Sequence, residues 1–290
     1  MYLYNGKVKR YKPDIAEQKY KDKRANSKRN YRCLECVEFL NYVVEMFNKK
    51  GWSLNASVGY AKENNLFSPD EMVCTKTLYN YVDLGLLPIK NIDLPEKLKR
   101  NTKSSNIQRN RKILGKSIEE RPETVNLREE FGHWEIDSVL GKKKDTEPAI
   151  MTIVERKTRM SLWVKVNDHS SMAIDEALQS LINRFGTKKS EVLKSITGDN
   201  GSEFANLSSI ENNGISVYFT HPYTSCEKGT NECHNKMLRR FIPKGKSMSD
   251  YKTEDILFFS DVINELPRKI LNYHMPEELF ETQLDRIYAT

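Results

Sequence analysis

The chain has 290 residues, 38% of them hydrophobic, 10% aromatic and 30% charged, with a mean hydropathy of −0.68. That length suits two compact units, and the composition supports a packed core, which excludes a disordered or fibrous chain. Apolar stretches such as Ala149 to Val154 and Ile256 to Phe259 fall far short of the roughly 18 residues a spanning helix needs, and Lys7, Lys9, Arg10 and Lys12 are followed by no apolar run, so neither a membrane span nor a secretory leader is expected.

The net charge of +7 is unevenly placed. Residues 1–130 hold 26 Lys and Arg against 17 Asp and Glu, a balance of +9, whereas residues 131–290 hold 21 against 23, a balance of −2. The excess is concentrated again in Met1 to Arg32, with 11 basic and 3 acidic residues, and in Lys97 to Lys116, with 8 basic residues and none acidic. Such clusters suit a polyanion, because each cation that neutralises a phosphate releases a condensed counterion; the plainer reading is a solvated helix face followed by a charged linker.

In chain order, Tyr11 to Phe47 reads as helical, with Leu34, Val37, Leu40, Val43, Val44 and Phe47 recurring at spacings of three and four, and the helix is expected to end near Lys50 and Gly51. Asn55 to Asn64 and Thr75 to Leu84 read as two shorter helices, with Thr75 as N-cap and Gly85 as stop. Their spacing suits a helix-turn-helix whose second helix offers Lys76, Thr77, Asn80 and Tyr79 to DNA while Leu78, Tyr81 and Val82 pack inward. Residues 88–130, with Pro88, Pro95 and Pro122 and a Ser/Asn-rich middle, read as a basic linker, in which Lys97, Lys99, Arg100, Arg109, Arg111 and Lys112 are candidate DNA contacts. Cysteines 33, 36, 74, 226 and 233 are odd in number and scattered, so reduced thiols are expected; Cys33 and Cys36 lack the further ligands a zinc site needs and read as half-buried apolar residues.

From His133 the pattern changes: Trp134, Ile136 and Val139 form one short strand, Ala149 to Val154 another and Ser161 to Val166 a third, then a helix at Met172 to Arg184. Strands at Val192 to Thr197 and Ile215 to Thr220 follow, with helices near Gly229 to Arg240 and Ile256 to Tyr273. This is the element order of an α/β ribonuclease H-like core, a mixed five-stranded sheet with helices, here preceded by an all-α helix-turn-helix-type region. The expected divisions are 1–50 basic helical segment, 51–87 DNA-binding region, 88–130 linker and 131–290 catalytic domain.

Three carboxylates stand out. Asp137 lies in a strand between apolar neighbours, where an acid needs compensation; Asp199 ends the fourth strand, 62 residues on; Glu232 opens a helix 33 residues later. Oxygen-only ligands of this kind suit two hard divalent ions, magnesium or in its place manganese, held for an in-line displacement. Taken singly, each acid also reads as a turn residue, a helix start or a solvent-facing strand residue. Asn235, Lys236 and Arg239 share a helix face with Glu232, so Lys236 and Arg239, with Arg240, are candidates for holding a phosphate backbone; ordinary pairing of Glu232 with Lys236 is the alternative.

The chain resembles the bacterial transposases of the insertion-sequence-30 family through His133-Trp-Glu-Ile-Asp-Ser-Val139, Thr197-Gly-Asp-Asn-Gly-Ser-Glu-Phe204 and Gly229-Thr-Asn-Glu-Cys-His-Asn235 followed by Leu238-Arg-Arg-Phe-Ile-Pro-Lys-Gly245. The likeness extends to Leu266-Pro-Arg-Lys-Ile-Leu-Asn272, Pro276-Glu-Glu-Leu-Phe280, Tyr79 to Asp83 and Asp93 to Pro95. It implies an integrase-type core in which Asp137, Asp199 and Glu232 are the catalytic residues and bind two magnesium ions, nick the element's ends and direct attack of the freed 3′-hydroxyl on target DNA. It further implies double-stranded DNA as partner, including terminal inverted repeats, a homo-oligomer on that DNA, and a cytoplasmic, nucleoid-associated location. Family members usually carry a preceding helix-turn-helix segment, so the chain is expected to be shortened at its N-terminus. Cys226 stands where an aromatic is common and Cys233 where an asparagine is usual. A silent DNA-binding remnant and a ribonuclease H-like nuclease are the competing expectations.

Overall fold

The computed structural model describes residues 12–27, 31–95, 97, 114–142, 147–221 and 225–289, the side chains of 225 and 226 excepted. The first region is helical: α1 (Pro13–Asn26), α2 (Val37–Lys50), α3 (Leu54–Glu63) and α4 (Thr75–Asp83). The single helix expected over Tyr11 to Phe47 is therefore two. α1 has no buried residue among those described, and α2 begins separately at Val37. Residues 32–36 then turn, with the Tyr81 hydroxyl accepting from the Arg32 amide at 3.0 Å and the Met72 carbonyl accepting from its guanidinium at 3.3 Å.

Helices α2 to α4 close on Phe39, Leu40, Val43, Leu54, Leu78, Tyr81 and Val82. Gly51, at φ +65°, takes the left-handed position that ends α2. Ser53 caps α3 by accepting from the Ala56 amide at 3.1 Å. Cys74, rather than Thr75, is the residue before α4, and Thr75 begins the helix. Cys36 is buried in this core and burial pushes its thiol upward; Cys33 packs against it.

The stretch expected to be linker up to residue 130 ends earlier. Residues 114–127, including α5 (Glu123–Leu127), attach to the second region: the Leu114 amide donates to Asn200 at 3.0 Å, the Phe219 amide to the Lys116 carbonyl at 2.9 Å, and Arg121 to Thr197 at 3.1 Å.

That region is built on β1 (His133–Leu140), β2 (Ala149–Glu155) and β3 (Ser161–Val166), then α6 (Ser171–Arg184), α7 (Lys189–Val192), β4 (Ser195–Gly198), β5 (Ser216–Phe219), α8 (Gly229–Phe241), α9 (Thr253–Asn264) and α10 (Pro276–Tyr288). The sheet order is β3-β2-β1-β4-β5, antiparallel across β1–β2–β3 and parallel across β1–β4–β5. This is the expected mixed five-stranded architecture. The fourth strand is shorter than expected because residues 189–192 form α7, whose Val192 carbonyl accepts from the Trp134 indole at 2.8 Å. The helix expected over Ile256 to Tyr273 stops at Asn264: Pro267 cannot donate an amide, and Asn272 and Tyr273 take left-handed φ of 52° and 64° before α10 begins at Pro276.

One sheet face, through Trp134, Ile136, Met151 and Ile153, packs on α6 and α10; the other, through Val139, Ile150 and Trp163, packs on α8 and α9. α8 is fastened to that second face by polar groups. Glu135 is fully buried, receives the Arg156 guanidinium at 2.6 Å and accepts from the Asn231 amide at 3.1 Å. Arg159 donates to Thr230 at 2.8 Å, and buried His234 lies 2.8 Å from the Thr230 carbonyl and 3.1 Å from that of Arg159. Burial, with Arg268 and Arg159 nearby, pushes the His234 imidazolium down to about 4.

Two outcomes follow from this fastening. Glu135→Gln leaves the Arg156 charge buried without its anion and lowers stability by about 3–5 kcal/mol in urea unfolding. Because His234 stays neutral in the fold to about 4, the unfolded chain takes up its proton first as pH falls from about 6.5, so stability is lost across that window; His234→Gln shows a shallower fall in melting temperature between pH 7 and 4.5.

Candidate active site

Residues 133 to 135 pair with residues 195 to 197 in parallel register, a constant offset of 62 positions. Two residues further, the same offset sets Asp137 level with Asp199, which directly follows β4. On β1, alternation turns Asp137 to the face that carries Glu135 and Val139, under α8. A 62-residue separation in the sequence is thus a side-by-side placement in the sheet.

Lys228, the residue before α8, lies between the two acids. Its ammonium is 3.2 Å from Asp137 Oδ1 and 3.0 Å from Asp199 Oδ2, and it donates to the Ile136 carbonyl at 3.2 Å. Only 7% of the residue is exposed, and the Phe204 ring lies 5.8 Å from Nζ. Burial alone would lower this ammonium; Asp137 and Asp199 outweigh that and hold it above its ordinary range. The remaining oxygens are also held. Asn235 donates to Asp137 Oδ2 at 2.6 Å and the Ser138 amide to Oδ1 at 3.0 Å, while the Gly201 amide donates to Asp199 at 3.0 Å.

Glu232 is placed differently. The buried positions of α8 are Thr230, Asn231, His234 and Leu238, so Glu232 falls outside that stripe, half exposed, paired with Lys236 at 2.9 Å. Among the described residues, no three of His, Cys, Asp and Glu gather closely enough to hold a metal ion. The structure brings Asp137 and Asp199 together and leaves Glu232 apart. The aspartate pair fits a divalent cation: two hard anionic oxygens already flank one cationic centre.

The other expected DNA contacts divide into three groups. Lys76 and Asn80 are exposed on α4, and Leu78, Tyr81 and Val82 are buried beneath them, as the helical spacing requires. Lys236 and Arg240 are exposed on α8. Arg239 is turned inward, donating to the Leu140 carbonyl at 2.7 Å and the Ile242 carbonyl at 3.5 Å, so its guanidinium ties α8 to the end of β1. Lys97 is bound to Asp83 and, at 2.6 Å, to Asn91. Lys99, Arg100, Arg109, Arg111 and Lys112 lie outside the described residues, as does the side chain of Cys226; Cys233 is exposed and free.

Sequence reasoning missed Lys228 and a second cluster beside it. His169 lies 2.7 Å from the Ser138 hydroxyl and 3.3 Å from Glu203, and that hydroxyl donates to Glu203 at 3.0 Å. The Glu203 hydrogen bond raises the His169 imidazolium against the effect of burial, and the charges of Asp199 and Asp137 raise it further. Burial pushes Glu203 up, but His169 and local donors hold it below the usual range. The available signals were the four-residue step from Lys228 to Glu232 and the acid in Gly201-Ser-Glu203.

A family model described as the integrase core domain matches residues 128–225, which include Asp137 and Asp199 and stop before Glu232. The chain is 46% identical over 207 residues to a probable transposase for the insertion-like element IS1161 of Streptococcus salivarius, covering 71% of this chain and 58% of that protein. It is 33% identical over 170 residues to the transposase InsI of element IS30A from Escherichia coli K12, covering 58% and 43% of the two chains. It is 31% identical over 241 residues to the transposase of element IS1086 from Cupriavidus metallidurans, covering 81% of this chain and 70% of that one. It thus spans about half the length of the first two relatives. With the integrase core match, the five-stranded sheet and the extended likeness to the last relative, the chain belongs to the IS30-type transposases of bacterial insertion sequences.

Proposed function

We propose that this protein catalyses DNA transposition, nicking the ends of an insertion sequence and transferring the freed 3′-hydroxyl to target DNA. The observation that carries the reading is the pairing of Asp137 on β1 with Asp199, just past the end of β4, around one cationic centre of an integrase core. Asp137 and Asp199 are the residues that would hold magnesium or manganese, with Glu232 completing the set once its side chain leaves Lys236. When bound, such ions supply Lewis-acid activation of the attacking oxygen and neutralise charge on the scissile phosphate. The chain's own groups preorganise the ligands: Asn235 and the Ser138 amide fix the Asp137 carboxylate, and the Gly201 amide fixes that of Asp199, so neither must reorient as charge develops.

The DNA partner fits the surface charge. Exposed Lys76 and Asn80 on α4 suit a phosphate and a base edge in the major groove, and Lys236 and Arg240 on α8 suit the strand entering the site. Recognition of terminal inverted repeats and a homo-oligomer that joins two ends belong to the same proposal.

Labelled duplexes carrying the flanking inverted repeats, incubated with magnesium or manganese, test the reading. The wild-type protein is expected to cut and join them, and Asp137→Asn, Asp199→Asn and Glu232→Gln to bind the same DNA without products. Bound but uncut DNA with the wild-type protein would overturn the catalytic reading and leave DNA binding alone. In the same assay Lys76→Ala should weaken binding with little change in sequence preference, whereas Asn80→Ala should relax preference at one base pair by about 1–3 kcal/mol.

A further inference from the structure

The Lys228 ammonium has three donors and three acceptors: Ile136 O, Asp137 Oδ1 and Asp199 Oδ2, all at 3.0–3.2 Å. Nothing about this lysine resembles a surface cation. It is buried against Phe204, and it enters the sheet face from the residue before α8. Two carboxylates set side by side repel one another unless a cation stands between them, and the fold supplies that cation from its own chain. A divalent ion needs the same oxygens, since it would lie between the same two aspartates.

We infer that Lys228 is an internal counter-cation: it holds Asp137 and Asp199 in place in the metal-free protein and is displaced when a divalent cation binds. The inference rests on the assignment of those aspartates as metal ligands. It makes cation binding an exchange in which the ammonium must leave a buried site, so Lys228 keeps the site assembled and weakens its affinity for metal. It also separates Lys228 from Glu232 in role, although they are four residues apart on one helix start. Lys228 leaves the aspartates as Glu232 approaches them.

The test is manganese binding to the full chain, followed by calorimetry, with melting temperatures measured in the absence of metal. Lys228→Met is expected to lower the metal-free melting temperature, because the carboxylates face each other unshielded, and to tighten manganese binding by about tenfold or more. A folded Lys228→Met protein that binds manganese no more tightly than wild type overturns the inference. A second measurement needs no variant. Brief acetylation of the wild-type protein, read by mass spectrometry, should modify Lys228 slowly without metal and faster in saturating magnesium; protection unchanged by bound magnesium also overturns it. Asp137→Asn separates the two proposals. Manganese binding that Asp137→Asn abolishes and Lys228→Met does not tighten removes the counter-cation and keeps the metal ligands. Binding absent from both wild type and Lys228→Met removes both.

Discussion

Two carboxylates of like charge lie close together, Asp137 on β1 and Asp199 just past the end of β4, and much of the second sheet face is arranged around that placement. The parallel pairing of β1 with β4 leads to it, because the register that sets Glu135 beside Thr197 leaves both aspartates two residues further on. Everything in contact with those oxygens is a donor: the Ser138 and Gly201 amides, the Asn235 amide group and the Lys228 ammonium. An acid in a strand centre is costly without such partners, and for Asp137 the cost is offset by the next amide on β1, by Lys228 and by Asn235.

The attachment of α8 follows the same logic one step along the strand. Glu135, two residues before Asp137 on the same face, joins the start of α8 to the sheet through the Asn231 amide and to the β2–β3 turn through Arg156. Arg239 closes the far end on the Leu140 carbonyl. Between these fixed points Lys228, in the turn before the helix, reaches the aspartates, while the Glu232 side chain pairs with Lys236. Burial, with Arg268 and Arg159 nearby, depresses His234 even though the Thr230 and Arg159 carbonyls beside its ring nitrogens pull the other way.

Much of this was legible in the sequence. The order of strands and helices along the second region is the expected one, and Asp137 within β1, Asp199 just past β4 and Glu232 in the first turn of α8 each carry a local signal. The inward set of α4, Leu78, Tyr81 and Val82, follows from helical spacing alone. What escaped depends on tertiary contact. Residues 114–127 carry the Gly and Pro of a linker, yet Leu114, Arg121 and Val125 are drawn in by Asn200, Thr197 and the core beneath them. α1 and α2 were joined because nothing local marks the turn that Arg32 makes with Tyr81 and Met72. The end of α9 at Asn264, by contrast, has a local signal in Pro267, which cannot continue a helix.

Charged residues on one helix can therefore have opposite fates, and spacing from an acid does not decide between them. Lys236 and Arg239 lie four and seven residues after Glu232, yet the first pairs with it in solvent and the second spends its guanidinium on backbone carbonyls. Lys228, four residues before it, is the cation that reaches the aspartates. What differs is the local contact: Arg239 meets the carbonyls at the end of β1 and of Ile242, Lys236 stays beside Glu232, and Lys228 precedes the helix, where the turn brings it to the sheet face. A lysine becomes a partner of two buried acids when the fold leaves them no other cation and gives the ammonium three acceptors, and that condition is met at a single point on this face among the described residues.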